Sequence, residues 1–241
     1  MKTKKVLLGF MIIFLISLTT MLLFAQEQAE VDKGKDTGIA EPEVSREKEE
    51  KGESIVELTS DQVSYDKEND SMVFSGNVVI IQEDATLTAD LASFNVGTKI
   101  GQISGNVKLV KEDITITGEK LEAFLNDKKY IFENQVELVQ EREDSKGEPD
   151  NITWKCRKLE IFTGTKNMTA TGEVLITKKD YTITALEAIY DDAEDMISLT
   201  GGVKIEELAN DRKISGEKAV FHIGDDKLDV TGGVRSTMIL D

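Results

Sequence analysis

Met72-Val73-Phe74-Ser75-Gly76-Asn77-Val78-Val79-Ile80 decides the fold, because Met72, Phe74, Val78 and Ile80 stand at even offsets on both sides of a Gly-Asn corner. The corner, or a close variant, returns at Gly105-Asn106-Val107, Asn134-Gln135-Val136, Gly172-Glu173-Val174, Gly201-Gly202-Val203 and Gly232-Gly233-Val234. The steps between copies are 29, 29, 38, 29 and 31 residues. A fixed period of roughly 20–50 residues marks a stacked architecture, in which each unit buries its apolar face only against its neighbours. The expectation is a repetitive β structure whose shared interior, rather than one catalytic cluster, carries the function.

Outward from each corner the apolar residues keep a period of two. The first sets are Met72, Phe74, Val78 and Ile80, then Ile103, Val107 and Leu109 with Gly101 in the remaining place. Tyr130, Phe132, Val136 and Leu138 come next, then Met168, Ala170, Val174 and Ile176. The last are Ile197, Leu199, Val203 and Ile205, then Leu228, Val230 and Val234. Strand side chains alternate, so these positions share one face of an extended chain. The residue after each Val is mixed in character, as at Val79, Lys108, Glu137 and Arg235, which suits a wet outer face. The corner glycine falls on the inward face in this count, where the lack of a Cβ would let the strand bend.

A second strand in each unit pairs a small residue with an aromatic five or six places later. Ala89 leads to Phe94, Gly118 to Phe124, Cys156 to Phe162, Ala185 to Tyr190 and Gly216 to Phe221, and Ser60 to Tyr65 adds a copy ahead of the first corner. Leu87, Ile114, Ile116, Ile152, Trp154, Tyr181, Ile183 and Ile214 precede the small residues at period two. Five is odd, so the small residue and the aromatic share a face only across a bulge. Polar turns such as Asp66-Lys67-Glu68-Asn69, Asn95-Val96-Gly97-Thr98 and Gly224-Asp225-Asp226-Lys227 come after the aromatics. Two bends per unit fold the stack lengthwise, bringing two sheet halves face to face across an apolar seam. The one long step, from Asn134 to Gly172, places an insertion in the charged turn at 141–149.

Ahead of the repeats, Met1-Lys2-Thr3-Lys4-Lys5 and an uncharged run from Val6 to Ala25 have the form of a secretory signal cleaved after Ala25. The run also reaches the length of a membrane span, so residues 1–25 read as signal peptide or membrane anchor. Either outcome places the remainder outside the cytoplasm, since the lysines hold the start inside. Residues 26–54 are rich in Glu and Lys with few large apolar residues, an acidic disordered linker, and residues 55–241 form the β domain.

The formal charge of −17 repels nucleic acid and anionic headgroups, so neither is expected to bind through a broad electrostatic footprint. The single cysteine, Cys156, excludes an internal disulfide and a thiolate zinc cluster. It aligns with Ala89, Gly118, Ala185 and Gly216, which makes it a small core residue. His222 is the only histidine and comes after the inward Phe221, so it should face solvent. The acidic turns lack the Asp-x-Asp-x-Asp-Gly spacing of calcium loops, and Asp/Glu pairs among 46 acids carry no information about glycoside chemistry. No catalytic residue, metal site or cofactor is expected. The apolar interior has two readings, a closed core or a V open along one side that holds a long apolar ligand. Open strand edges at both ends suit docking of another copy or a partner.

Gly76-Asn77-Val78-Val79-Ile80 with Thr86-Leu87-Thr88-Ala89-Asp90-Leu91-Ala92-Ser93-Phe94, and Tyr181-Thr182-Ile183-Thr184-Ala185-Leu186-Glu187-Ala188-Ile189-Tyr190-Asp191, resemble the OstA-like β-jellyroll of the LptA/LptC lipopolysaccharide-transport proteins. The likeness covers roughly residues 55–238. It implies an all-β fold, a V-shaped antiparallel β-jellyroll of about six 29-residue repeats. Further implied is a non-catalytic periplasmic protein, without cofactor, that shields lipopolysaccharide acyl chains or those of a similar long-chain lipid. The groove would consist of Phe74, Val78, Ile80, Leu87, Phe94, Val107, Leu109, Ile116, Phe132, Val136, Leu138, Trp154, Val174, Ile176, Ile183, Leu199, Val203 and Ile205. Head-to-tail pairing with copies of itself, with transporter-associated proteins of the inner membrane and with outer-membrane β-jellyroll proteins would build a bridge. The alternatives are a membrane-anchored LptC-like acceptor, an exported structural or adhesive filament, and, more remotely, a polysaccharide-active β-helix enzyme.

Overall fold

Runs of Val, Ile, Leu and Thr at period two become strands because their branched side chains pack on a pleated surface. A computed structural model describes residues 56–82, 84–143, 147–208, 211–223 and 227–238. The leader at 1–25, the linker at 26–54 and the Gly224-Asp225-Asp226 part of the last turn lie outside the described residues. The strands are β1 (Val56–Thr59), β2 (Gln62–Asp66), β3 (Ser71–Gln82), β4 (Ala85–Asn95) and β5 (Ile100–Lys111). They continue with β6 (Ile114–Phe124), β7 (Lys129–Gln140), β8 (Ile152–Phe162), β9 (Asn167–Lys178) and β10 (Tyr181–Asp191). β11 (Met196–Glu207), β12 (Arg212–His222), β13 (Lys227–Thr231) and β14 (Arg235–Thr237) complete a single 14-stranded sheet in which every pairing is antiparallel. Among the described residues there is no helix.

From β3 to β12 each strand lies between its sequence neighbours. β1 and β2 lie end to end along β3, and β13 and β14 lie end to end along β12. The sheet is therefore open, and among the described residues nothing pairs with the outer edge of either terminal pair.

The first five corners are bulges, and the sixth lies between β13 and β14. Ser75 faces Leu91 and Val78 faces Ala89, so Gly76 and Asn77 together oppose the single Asp90. The same offset recurs at Ser104/Val107, Glu133/Val136 and Thr200/Val203. Both residues of each corner are left-handed, from Gly76 at φ 75° and Asn77 at φ 48° to Gly232 at φ 77° and Gly233 at φ 60°. One consequence corrects the inward placement of the corner glycine. A Cβ on Gly105 would lie 2.4 Å from Asp90 Oδ2, and Asp90 is exposed. Two successive left-handed residues break the alternation, so Phe74 and Val78 stay inward while the corner between them does not.

The small residues of the second strands sit opposite the corner valines. Ala89 pairs with Val78, Gly118 with Val107, Cys156 with Val136, Ala185 with Val174 and Gly216 with Val203. The aromatics need a correction. Tyr190, five places after the small residue, is in the core and Phe94, at the same spacing, packs against it, and Phe221 is half-buried; Phe124 and Phe162, six places after, are not part of the cluster. There the inward side chains are Ala123 and Ile161, because the two outward residues of the bulge fix the phase of the strand beyond it. Phe162 instead lies on the outer face with Lys129, whose Nζ is 5.4 Å from its ring and 2.8 Å from Glu160 Oε2.

Aligned corners fold the sheet lengthwise. Ile80 and Leu87, from one side of the fold line, and Phe74 and Phe94, from the other, line a single cavity. At one tip, stacked hairpin turns are tied by Val96 N–H to Asp70 O (2.9 Å), Leu125 N–H to Lys99 O (3.1 Å), Thr163 N–H to Lys128 O (2.9 Å) and Ile223 N–H to Asp195 O (2.9 Å). At the other tip two-residue turns join Lys111 to Ile114 and Lys178 to Tyr181. The expected insertion sits here, between Gln140 and Ile152, where Glu143 bridges Pro149 and Asp150 N–H donates to Arg142 O at 2.8 Å.

Candidate functional site

One apolar cluster runs the length of the folded sheet and holds all the residues expected to face the groove. Val78, Leu87, Val107, Leu109, Ile116, Phe132, Val136, Leu138, Trp154, Val174, Ile176, Leu199, Val203 and Ile205 are buried in it. Phe74, Ile80, Phe94 and Ile183 are half-buried and pack against it. The two halves are closed on each other over most of the stack, since Tyr130, Phe132, Leu159 and Leu199 expose 0% of their surface. Space opens near the start of the sheet, as a partly enclosed apolar cavity of about 80 Å³. Of the expected groove residues, Phe74, Ile80, Leu87, Phe94 and Leu109 line it, and the others pack away from it.

Trp154 lies between Leu138 and Ile176 and is core packing. Cys156 is likewise buried, and burial pushes its thiol up to about 11, so it is a neutral filler at neutral pH. His222 is partly exposed, with Nε2 3.7 Å from Asp229 Oδ2. Among the described residues no three His, Cys, Asp or Glu side chains cluster as metal ligands, and no helix is long and apolar enough to cross a membrane.

Two polar rows escape a reading of single strands. The first runs along the outside of the fold line. Asn77 Nδ2 donates to Asp61 Oδ2 (2.9 Å), Asn106 Nδ2 to Asp90 Oδ2 (2.9 Å) and Gln135 Nε2 to Glu119 Oε1 (2.8 Å). In the next unit the chemistry is reversed in direction but kept in place, with Arg157 Nη2 2.7 Å from Glu173 Oε1. The constant separation of 16 residues is the sequence signal that would have found this ladder. The second row closes one lip of the interior, six places after each corner, where Gln82 and Gln140 are buried and Lys111 nearly so. Lys111 Nζ meets Asp84 Oδ1 at 3.3 Å, Gln140 Nε2 donates to Asp113 Oδ2 at 3.1 Å, Lys178 Nζ meets Asp150 Oδ2 at 3.5 Å and Arg212 Nη2 meets Glu207 Oε2 at 2.5 Å. Lys111, Gln140 and Lys178 are each held by an acid of the turns, so the apolar interior ends at a hydrogen-bonded margin.

An open antiparallel sheet folded on a line of bulges around a continuous apolar interior defines the class as an all-β jellyroll. Residues 57–97 and 91–227 match the family described as LptA/(LptD N-terminal domain) LPS transport protein, and the chain belongs to that family. No curated protein matches it. Among solved structures, it is similar to LptH of Pseudomonas aeruginosa, the LptA-homologous periplasmic component of the conserved lipopolysaccharide transport device. That likeness has 12% identity and a TM-score of 0.27, covering 78% of this chain and 96% of the other. It is too loose to carry an inference, and the membership rests on the sequence match.

Proposed function

We propose that this protein works in the periplasm as a link in a lipopolysaccharide bridge, shielding acyl chains between the two halves of its folded sheet. The observation that carries the reading is the uninterrupted apolar cluster from β3 to β12 in a chain of a lipopolysaccharide-transport family. Each buried methylene of a lipid contributes about 0.8 kcal/mol. An acyl chain entering between the halves replaces side-chain contacts by lipid contacts of the same kind, so opening costs little hydrocarbon packing while the lipid leaves water. The anionic sugar-phosphate portion stays in solvent, which makes the chain's net negative charge tolerable. The free edges at β1/β2 and β13/β14 support head-to-tail pairing with further copies and with inner- and outer-membrane partners of the same fold.

Gel filtration of the full chain with lipopolysaccharide tests the reading. Lipid should co-elute with protein-sized particles instead of the large lipid aggregates. Light scattering should show a mass that grows with protein concentration, in rods. Rods without any lipid capture would instead mark a structural filament, and the transport reading would fall.

A further inference from the structure

Inward side chains differ in size along the stack. Four places before the corners stand Met72, Gly101, Tyr130, Met168, Ile197 and Leu228, and Gly101 has no side chain at all. On its two sides Gly101 pairs with Phe94 of β4 and with Ala123 of β6, so the small neighbour adds to the missing volume. The apolar cavity of about 80 Å³ lies here, and Gly101, Ala92 and Ala123 are in its wall. No residue beyond Tyr130 lines it, so β8 to β14 contribute nothing. Tyr130 and Phe132, both 0% exposed, fill the interior where the void ends.

We propose that this void, which ends at Tyr130 and Phe132, is a berth for one unbranched hydrocarbon chain in the first half of the stack. The proposal rests on the lipid-shielding reading above and adds where, and how much, the protein binds. A buried water needs about 2–4 polar partners, and the lining turns no polar atom towards the space. Water is therefore a poor occupant, while a narrow alkyl chain matches both the chemistry and the gap between two facing sheet halves. Gly101 sets the capacity of the site. A Cβ there would meet Ala123 Cβ at 3.5 Å, Phe94 Cδ2 at 3.6 Å and Ile103 Cδ1 at 3.8 Å, ordinary contact distances, so the position accepts a side chain and glycine is what keeps the space free.

Titration of the full chain with cis-parinaric acid, a linear fluorescent fatty acid, tests this. The unaltered protein should bind it saturably. Gly101→Val should weaken binding at least about tenfold, with the melting temperature unchanged or raised because the added methyls fill a void. Ala123→Val enters the same space from β6 and gives a second reading should the first variant fail to fold. Undiminished binding by a folded variant overturns the berth while leaving lipid shielding in place. Binding of N-phenylnaphthylamine but not of the linear probe overturns it too, since the space then fits rings. No lipid binding by the unaltered protein removes both the berth and the reading beneath it.

Discussion

Asp90 and Gly105 face each other across two strands so closely that neither can be changed alone without consequence. Gly105 is left-handed at φ 78°, and a Cβ on it would lie 2.8 Å from Asp90 Cβ. A left-handed non-glycine residue costs about 1–2 kcal/mol before any clash is counted. Gly105→Ala should therefore lower stability by at least that amount, measured by urea denaturation. Asp90→Gly in the same chain should recover the clash but not the backbone cost, so the two changes couple. Simple additivity of the two variants would refute the contact. The third corner supplies a natural comparison, because Asn134 occupies the same place at φ 62° and asparagine tolerates that conformation best among residues with a Cβ.

A hairpin is the next unit up, and the strands and most of their partners are legible from the period alone. Alternation identifies β3 to β12 because one face of each must be apolar. The recurrence of the corner in each unit puts Val78, Val107, Val136, Val174 and Val203 in register opposite the small residues. What alternation cannot supply is the geometry inside a bulge. The count across Gly76-Asn77 keeps the corner inward, whereas two left-handed residues turn Gly76 towards Asp61, as the next corner turns Gly105 towards Asp90. Phe124 and Phe162 fit the inward pattern by residue type, but phase after the bulge decides the face, and Ala123 and Ile161 have it. The turn insertion, by contrast, is legible in the 38-residue step. Replacing residues 141–151 by Asn-Gly should restore the two-residue connection used at Glu112-Asp113 and Lys179-Asp180. Shortening the loop gains about 0.6 kcal/mol per halving of its length. It also removes the half-buried pair Lys178–Asp150 and the exposed pair Lys179–Glu148, the latter worth no more than about 1 kcal/mol. The melting temperature should stay level or rise slightly, and a fall of several degrees would assign the insertion a structural role.

Across the whole molecule, closure of the two halves depends on the sum of side-chain volumes facing each other, which no single strand reveals. Gly101 is visible in the sequence as an exception to the pattern, yet only the folded sheet shows that its missing side chain leaves a void while Tyr130 and Phe132 shut the seam beyond. The same closure buries three weak acids, and that gives the stability a pH dependence. Burial pushes Cys156 up to about 11 from an ordinary value of 9.0 and raises Tyr130 above its ordinary range. Tyr190 is raised by burial first and then by the hydrogen bond it donates to Asp192 Oδ1 at 3.0 Å. For each, the folded state holds the proton more tightly than the unfolded chain does. The contribution is complete below about pH 9, and it is lost as pH rises through about 11 for the thiol, with the tyrosines titrating later. The thiol accounts for at most about 2–3 kcal/mol of the change. Melting temperatures between pH 7 and pH 11 should begin to fall near pH 9. General repulsion in an ever more negative chain would produce a decline too, so a variant must separate the causes. Cys156→Ala places the residue that two other units carry there, Ala89 and Ala185, and removes one buried acid without adding charge. Its decline should begin about one pH unit later, where tyrosine ionises. Superimposable pH profiles for the two proteins would show that the buried thiol contributes nothing to the alkaline limit of the fold.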